Sequence, residues 1–272
     1  MALDLAAYLT RIGTPDADRA DLPTLRAIVA GHARAIAFEN LDAFTGREIG
    51  LDPADLAAKL VAGRRGGWCF EQNLLLRGAL DELGFRTTGL AGRVLWRRPA
   101  DAPLPPRGHM LLQVDLDEGP HIVDVGFGGV TLTGVLALAP EREQATPHEP
   151  FRLWPDGTGF RMQAKVAGDW TTLYRFDLTE QCLADYEVTN WYLAHHPASH
   201  FVNSLMADRP DTDRRYALND RMLSVHHLGG RTERRELRTT AEIRTALAEQ
   251  FLLDLSGLPG LDRALSRLLP PT

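Results

Sequence analysis

The spacing of apolar residues predicts helices over residues 1–85. Leu25, Ile28, Val29 and His32 recur at intervals of three and four residues, which places their side chains on one face of a helix. Such faces become buried when helices pack against one another. The pattern therefore favours a group of packed helices in the first third of the chain.

Two helix boundaries can be located within this region. The pair Asp52 and Pro53 is typical of a helix start, with an N-cap followed by a proline in the first turn, and predicts a helix over 52–60. Glycines interrupt the pattern, and a second helix is predicted over 69–83, ending at Gly84, which suits the left-handed C′ position. Its buried side is predicted to carry Phe70, Leu74, Leu76, Leu80 and Leu83.

Alternation of apolar and polar residues predicts strands over residues 86–178. The segment "HMLLQVDLD" (109–117) has apolar residues at every second position, namely Met110, Leu112, Val114 and Leu116. "HIVDVGF" (121–127) follows after a turn, and "FRLWP", "GFRMQAKV" and "WTTLYRFDL" continue the pattern. The arrangement favours an antiparallel sheet or a small barrel.

The remainder of the chain, residues 180–272, mixes both types of element. Thr239 and Glu242 have capping-box spacing and predict the start of a helix. Three residues mark its buried face: Ile243, Leu247 and Phe251. Pro210 and the arginine-rich segment 231–238 indicate exposed loops or an edge strand.

Composition and charge exclude several classes of function. The 272 residues are 44% hydrophobic and 24% charged, which supports a packed core of two domains or three small ones. The net charge of −6 disfavours nucleic-acid binding, because phosphates require a basic face. The N-terminus does not resemble a secretory signal, and no apolar run approaches the length of a membrane span. Cys69 and Cys182 form neither a disulfide framework nor a metal knuckle, so we expect a cytoplasmic protein with reduced thiols.

The segment "RRGGWCFEQN" (64–73) places a cysteine between a double glycine and a helix. Cys69 is predicted in the first turn, where unpaired N–H groups and the helix dipole favour an anion. A helix N-terminus together with a protonated histidine lowers the pKa of a free thiol from about 8.5 to below about 7. Gly66 and Gly67 would let a substrate carbonyl approach the backbone. The alternative, a small buried residue at a helix start, stays open unless a base lies nearby.

His109 is the best candidate for that base, because it begins a strand and Asp124 lies on the next one. If the turn between the strands centres on residues 117–118, His109 lies opposite Gly126 and Asp124 opposite Leu111. The two side chains then share one face of the sheet as diagonal neighbours, about 7 Å apart at Cβ. Shifting the turn by one residue would place them on opposite faces. An ordinary strand histidine is the alternative for His109.

Two neighbouring features also leave alternatives open. His121 could pair with Asp124, but its odd position points it to the opposite face, so a metal site built from His109, His121 and Asp124 is disfavoured. The glycines of "GFGG" (126–129) could expose backbone N–H groups to a phosphate or a thin cofactor arm. They could equally form a glycine-rich strand end or bulge.

"RGGWCFEQN" (65–73) resembles the signature of the arylamine N-acetyltransferases, and it matches at every fixed position, namely Arg65, Gly66, Gly67, Cys69, Glu71 and Asn73. Further segments are similar to the family in the same order along the chain: "FENLD" (38–42), Gly108-His109, "VDVGFG" (123–128) and, more loosely, "HHPASHFVNSLMA" (195–207). The resemblance covers most of the chain.

The resemblance implies an α+β fold in three parts. These parts are an N-terminal helical bundle (1–85) carrying the nucleophile, a central antiparallel β-barrel (86–185) carrying the base and the acid, and a C-terminal α/β lid (186–272). It implies a papain-like catalytic triad, which would be Cys69, His109 and Asp124. Arg65 and Glu71 flank the thiol, and we expect them to brace the loop rather than react.

The resemblance also implies the reaction and its participants. Acetyl would move from acetyl-CoA, a co-substrate, to an arylamine, an arylhydrazine or a related amine by a ping-pong scheme through an acetyl-cysteine, with a role in xenobiotic metabolism and no metal. Residues expected beside coenzyme A are Trp96, Gly126, Gly128 and Gly129. Residues expected to line the acceptor pocket are Phe38, Trp68, Phe127 and Phe201. Cys182 matches no functional position and is expected to be structural.

Three other functions remain open at the level of sequence. An amide synthase that releases polyketide chains would use the same triad. A thiol hydrolase or transglutaminase-like enzyme would use it on other acyl donors, and a binding domain would leave Cys69 inert. The sequence does not determine the physiological acceptor, the acyl chain length or the oligomeric state, and a homodimer stays open.

Overall fold

A computed structural model describes residues 3–99 and 101–270. The helices lie towards the two ends of the chain and are α1 (Leu5–Ile12), α2 (Leu22–Ala35), α3 (Leu41–Thr45), α4 (Pro53–Leu56), α5 (Cys69–Glu82), α6 (Leu183–His195), α7 (His200–Asn203), α8 (Thr240–Glu249) and α9 (Leu261–Ser266). Within the described residues, none of these helices has the length and apolar character needed to cross a membrane.

The strands form two antiparallel sheets. The barrel sheet has the order β5-β4-β3-β2-β8-β7-β6, and its strands are β2 (Arg86–Val94), β3 (His109–Leu116), β4 (Gly119–Val123), β5 (Leu136–Ala137), β6 (Phe151–Asp156), β7 (Gly159–Val166) and β8 (Asp169–Phe176). The lid sheet has the order β1-β9-β10-β11-β12, and its strands are β1 (Phe38–Glu39), β9 (Met206–Pro210), β10 (Arg214–Asn219), β11 (Met222–His227) and β12 (Thr232–Glu236). The α+β class is confirmed.

The N-terminal helices follow the predicted apolar pattern with one exception. The face of α2 that contains Leu25 and Ile28 is fully buried, and the Asp21 side chain caps its start. Helix α5 begins at Cys69 as predicted, and Gly84 follows it with a φ of +88°. Leu74 and Leu83 are only partly buried, because the first turn of α5 instead buries its polar residues Glu71, Gln72 and Asn73.

The predicted helix over 52–60 differs from an ordinary α-helix. Only Pro53–Leu56 is α-helical, and Ala57–Ala62 continues as a π-helix. The carbonyl oxygen of Ala58 accepts from the N–H of Gly63, and that of Lys59 accepts from the N–H of Arg65. These wider turns carry the chain directly into the glycine pair that precedes α5.

The register of β3 and β4 agrees with the sequence prediction. Leu116 lies opposite Gly119, so residues 117–118 form the turn. The same register continues to Leu112 opposite Val123, and its extension by one residue sets Asp124 opposite Leu111. Single bridges from the segment after β5 to β6 bring the two edges of the barrel sheet together, so the sheet is nearly closed.

The lid sheet incorporates a strand from the first third of the chain. Phe38 pairs with Asp208 and Glu39 with Ala207, so β1 forms one edge of this sheet. Because β1 has only two residues, Pro210 at the end of β9 lies at a locally unpaired edge, where its missing N–H costs nothing. The arginine-rich segment forms β12, the opposite edge, as predicted.

Helix α8 packs on the lid sheet through the predicted face. Ile243 and Leu247 are fully buried, as is Phe251 just beyond the helix. The Thr239 hydroxyl accepts from the N–H of Glu242, which confirms the predicted N-cap. The Glu242 carboxylate accepts from the N–H of Arg238, one residue before the cap, so the box is not fully reciprocal.

Strand β3 is buried on both faces, which places it at the centre of the molecule. Met110, Leu112 and Val114 pack in the core that α1, α2 and α5 form. Leu111 packs on the other face with Ile122 in the interior of the barrel sheet. His109 therefore starts a strand whose outer face contacts the cysteine-bearing helix, which brings the barrel sheet against the start of α5.

Candidate active site

Cys69 is the first residue of α5 and is 7% exposed. The chain before Cys69 is bound to β1 and the residue before it. The N–H of Gly67 donates to the carbonyl oxygen of Ala37, and the carbonyl oxygen of Gly67 accepts from the N–H of Glu39. A side chain at Gly66 would collide with the carbonyl oxygen of Ala37. The glycines therefore allow close contact between two protein segments, rather than approach of a substrate as the sequence suggested.

A buried cluster of charges surrounds this loop. Lys59 Nζ lies 2.6 Å from Asp42 Oδ2 and 2.6 Å from Glu71 Oε1. Arg65 Nη2 lies 2.6 Å from Glu39 Oε1 and 3.4 Å from Asp42 Oδ1. Burial lowers the pKa of Lys59, but the neighbouring carboxylates outweigh it and raise the pKa above its ordinary value. Burial raises the pKa of Glu71 to about 7, although Lys59 opposes this change.

Glu71 connects the charge cluster to the start of α5. Its Oε2 accepts from the N–H of Trp68 at 3.1 Å, which caps the helix immediately before the cysteine. The cluster therefore fixes both the glycine pair and the first turn of α5.

Replacement of Lys59 by methionine should lower the free energy of unfolding by about 3–5 kcal/mol, because it removes the cation paired with the buried Glu71 and one of the cations paired with Asp42. Urea denaturation at pH 7.5 measures the change. The only other lysine, Lys165, supplies a matched control, since its pair with Glu143 is largely exposed. Lys165→Met should cost less than about 1 kcal/mol. Equal effects of the two substitutions would show that the Lys59 cluster does not stabilise the fold.

The base and acid candidates are in direct contact, as the predicted register requires. His109 Nε2 lies 2.6 Å from Asp124 Oδ2, and both residues are buried. Burial of the His109 ring lowers its pKa, but Asp124 and Cys69 act in the opposite direction and raise the pKa to about 10. Burial raises the pKa of Asp124, but His109 and the surrounding donors outweigh it and hold the pKa below its ordinary value.

The Cys69 thiol lies beside the His109 ring and helps to raise its pKa. Because Nε2 faces Asp124, Nδ1 is the nitrogen available to the sulfur. The Sγ atom also lies 3.8 Å from the carbonyl oxygen of Gly108. The structure thus brings together the cysteine, the imidazole and the carboxylate that were singled out in the sequence.

Asp124 receives several donors that the sequence did not reveal. The hydroxyl of Tyr174 donates to its Oδ2 at 2.8 Å, and the N–H of Gly126 donates to its Oδ1 at 3.0 Å. Asn73 Nδ2 lies 3.2 Å from the same Oδ1 and 3.1 Å from the carbonyl oxygen of Cys69. Asn73 belongs to the cysteine signature and lies one helical turn after the thiol. Its position in the sequence could therefore have indicated that it lies close to the site. Tyr174 comes from β8, and no local pattern marks it.

The aromatic residues expected at the acceptor pocket form two groups. Trp68 and Phe201 meet edge to face at 5.2 Å between centroids, and Phe38 lies 6.2 Å from Phe201. Phe127 instead packs at 87° against the His109 ring, 5.3 Å away. The indole N–H of Trp68 donates to Asn190 Oδ1 at 2.9 Å, so α6 fixes the orientation of this ring.

The glycine loop (126–129) lies beside the triad, and contacts within the protein explain its glycines. A Cβ at Gly126 would lie 2.5 Å from Cys69 Cα, and Gly128 has a φ of +91°. The N–H of Gly126 donates to Asp124 and that of Gly128 donates to the Thr131 hydroxyl, while the Asp208 carboxyl lies against the backbone of Gly129. The first two N–H groups are therefore engaged within the protein, whereas exposed donors were one of the two alternatives that the sequence left open. A thin ligand arm would meet a surface without side chains rather than a phosphate-binding nest.

Trp96 lies just after β2, and its ring packs against the interior of the barrel sheet. The guanidinium of Arg97 lies 5.3 Å from the ring centroid. Cys182 is exposed at the N-cap of α6, with its sulfur 3.1 Å from Asp185 Oδ2. Across residues 3–99 and 101–270, no three His, Cys, Asp or Glu side chains are grouped so that they could hold a metal ion.

Comparison with known proteins agrees with this architecture. Residues 21–258 match a family model described as N-acetyltransferase. The chain is 45% identical over 265 residues to an arylamine N-acetyltransferase of Mycolicibacterium smegmatis, covering 96% of each protein. The solved structure of Mycobacterium marinum arylamine N-acetyltransferase has a TM-score of 0.95 at 41% identity and covers 98% of this chain and 100% of that one. A structure of the same protein in complex with CoA has a TM-score of 0.94 at 40% identity, with the same coverage.

These matches extend over nearly the whole chain. The chain therefore belongs to the arylamine N-acetyltransferase family, and it is an enzyme of that family. The names of these relatives favour acetyl transfer over the amide-synthase alternative.

Proposed function

We propose that this chain moves an acetyl group from acetyl-CoA to aromatic amines, arylhydrazines and related amines through an acetyl-Cys69 intermediate. The observation that carries the proposal is the position of Cys69 beside the His109 imidazole, which the buried Asp124 carboxylate holds at 2.6 Å. The relative of known structure that was solved with CoA supports the choice of acyl donor.

In the first half-reaction, the Cys69 thiolate attacks the thioester carbonyl of acetyl-CoA, and the bond to the coenzyme A sulfur breaks. His109 takes the thiol proton beforehand and returns it to the departing sulfur. Exchange of one thioester for another is close to energetically level, so the acetyl-enzyme is not a trap. The N–H of Cys69, at the start of α5, is placed to stabilise the oxyanion.

In the second half-reaction, the acceptor amine attacks the acetyl carbon and Cys69 leaves as a thiolate. His109 takes the proton from the attacking amine. Asp124 keeps the proton on Nε2 and stabilises the imidazolium, so Nδ1 faces the reacting atoms. The group formed by Phe38, Trp68 and Phe201 would stack a flat acceptor and exclude water from the thioester.

We further propose that coenzyme A passes by Gly126, Gly128 and Gly129, with Trp96 close to it, and that Phe127 contacts the acceptor. We also propose that the chain divides into three parts, which are a helical bundle (1–85), a barrel (86–185) and a lid (186–272). A cytoplasmic role in xenobiotic metabolism is proposed on the absence of a disulfide framework and on the family. A homodimer remains a prediction that light scattering during size-exclusion chromatography would test.

The decisive measurement is intact mass after incubation with acetyl-CoA, followed by peptide mapping. We expect one acetyl group, located on the peptide that carries Cys69, and its rapid loss when an aniline or arylhydrazine is added. Cys182 is exposed and serves as an internal control that should stay unmodified. An acetylated enzyme that loses its acetyl group to water and not to amines would instead indicate a thiol hydrolase.

A further inference from the structure

One of the three side chains that contact the backbone of the glycine loop comes from the lid sheet. Asp124 and Thr131 bind the N–H groups of Gly126 and Gly128 from nearby in the chain. The Asp208 carboxyl lies against the backbone of Gly129 from almost eighty residues further along, on β9, and the Gly129 N–H opposes the rise in its pKa. Asp208 therefore joins the lid sheet to the loop that borders the triad.

The Asp208 side chain lies directly under this loop. It is 8% exposed and pairs with Phe38 across β1 and β9. A Cβ at Gly128 would lie 3.2 Å from Asp208 Oδ2, and a Cβ at Gly129 would lie 3.3 Å from Oδ1. The carboxyl group thus contacts the backbone of the loop on the side facing the lid, and any shift of the carboxyl would change the position of the loop.

We propose that Asp208 is a positioning residue that holds the glycine loop in the conformation that engages acetyl-CoA. This inference rests on the proposed function and deepens it, because it assigns to the lid sheet a part in binding the acyl donor. Asp208 does not contact the reacting atoms. It acts through Gly128 and Gly129, one residue beyond the Phe127 ring that packs on His109.

Among the titratable groups in this region, Asp208 is the one whose pKa lies near neutrality. Arg215 on β10 is the cation that lowers the pKa of Asp208. Its guanidinium also pairs with Glu149 at 2.6 Å. Burial raises the pKa of Glu149, but Arg215 outweighs it and holds the pKa below its ordinary value. Burial lowers the pKa values of His148 and His226, and Arg215 lowers both further. Burial raises the pKa of Asp208 to about 7, against the opposing effects of Arg215 and the Gly129 N–H.

Ionisation of Asp208 should therefore strengthen its hold on the loop within the physiological range. A carboxylate accepts a charge-assisted hydrogen bond, about twice as strong as that to a neutral acceptor. As pH rises through about 7, the attraction between the Asp208 carboxylate and the adjacent Gly129 N–H becomes stronger and the loop is held more firmly. The half-saturating concentration of acetyl-CoA should accordingly fall between pH 6 and pH 8, by about three- to tenfold.

The experiment measures single-turnover acetylation of Cys69 as a function of acetyl-CoA concentration from pH 6 to pH 8. Asp208→Asn keeps the shape and an acceptor oxygen but cannot ionise. We expect this variant to lose the wild-type change with pH and to resemble the wild type at pH 6. Asp208→Ala removes the carboxyl group that lies against Gly128 and Gly129 and should raise the half-saturating concentration about tenfold at pH 8. Glu71 also has a pKa raised by burial to about 7, but wild type and variants share it, so their difference isolates Asp208.

Two controls separate positioning from chemistry. The alkylation rate of Cys69 by iodoacetamide should stay within about twofold of wild type in Asp208→Asn, because the triad contacts are unchanged. Asp213 is an exposed acid in the bend just before β10, where it pairs with Arg214, and Asp213→Asn should behave as wild type throughout.

Each outcome decides the inference. A pH profile of Asp208→Asn identical to that of the wild type overturns it, and so does a loss of alkylation rate that matches the loss of acetylation. If Asp208→Ala does not fold, the Asp208→Asn profile alone carries the test. A wild type that forms no acetyl-Cys69 overturns the proposed function and this inference together. If the wild type forms acetyl-Cys69 and the Asp208 variants behave in the same way as the wild type, only the inference about Asp208 is overturned.

Discussion

Replacement of Cys69 by serine is expected to lower kcat/KM for acetyl transfer to an arylamine by about 10⁴-fold or more. Removal of a catalytic nucleophile costs up to about 10⁶-fold in well-studied hydrolases. A serine hydroxyl ionises far less readily than a thiol. An acetyl ester on serine is also more stable than the thioester of acetyl-CoA, so the intermediate would react poorly with an amine. The sulfur makes few other contacts, its distance to the Gly108 carbonyl oxygen being 3.8 Å, so the fold should be retained.

Cys182→Ser is the matched control for this prediction. Cys182 is exposed at the start of α6, and its replacement should leave kcat/KM within about twofold of wild type. A folded Cys69→Ser variant that kept a tenth of the wild-type activity would show that acetyl transfer does not pass through this sulfur. Direct transfer from acetyl-CoA to the amine would then be the simpler mechanism.

The relation of His109 to Asp124 could be predicted because it depends on local sequence alone. The two strands are joined by a two-residue turn, and the side-chain period of two then decides which residues share a face. The observed pairing of Leu116 with Gly119 is the register that brings the two residues together. The resemblance of the cysteine signature supplied the third member, which lies on a different element.

Contacts between distant segments could not be predicted in the same way. Tyr174 reaches Asp124 from β8, and Phe38 enters the lid sheet by pairing with Asp208. No periodicity in a strand states which other strand it will pair with. The two-residue β1 is also too short to show any alternation. The support of the triad and of the glycine loop therefore became visible only in the structure.

The glycines show a different limit of sequence reasoning. Gly66 and Gly67 were expected to let a substrate approach the backbone, and exposure of backbone N–H groups to a cofactor was one of two alternatives for Gly126. In the structure each is small because another part of the protein approaches it, namely Ala37, Glu71 and Cys69 respectively. A glycine indicates that something comes close, but its sequence context does not state whether that neighbour is a ligand or the protein itself.

Asp124→Asn should lower kcat/KM for acetyl transfer by about 10⁴-fold, the loss seen when a triad acid becomes an amide. Asp124 accepts from His109, Tyr174, Gly126 and Asn73, and an amide cannot satisfy this set of donors with one oxygen. If the amide NH₂ faces His109 Nε2, that nitrogen must accept, and the ring proton moves to Nδ1. The nitrogen facing Cys69 would then carry a proton and could no longer take one from the thiol.

Tyr174→Phe provides the comparison that separates this tautomer effect from general disturbance of the site. It removes one donor to Asp124 Oδ2 but leaves the carboxylate, so the loss should be about tenfold or less. The alkylation rate of Cys69 at pH 7 should fall steeply in Asp124→Asn and little in Tyr174→Phe. Equal losses in the two variants would mean that Asp124 supports the fold of the site rather than the proton position on His109. A steep loss in Asp124→Asn alone ties the reactivity of the thiol to the carboxylate that orients its base.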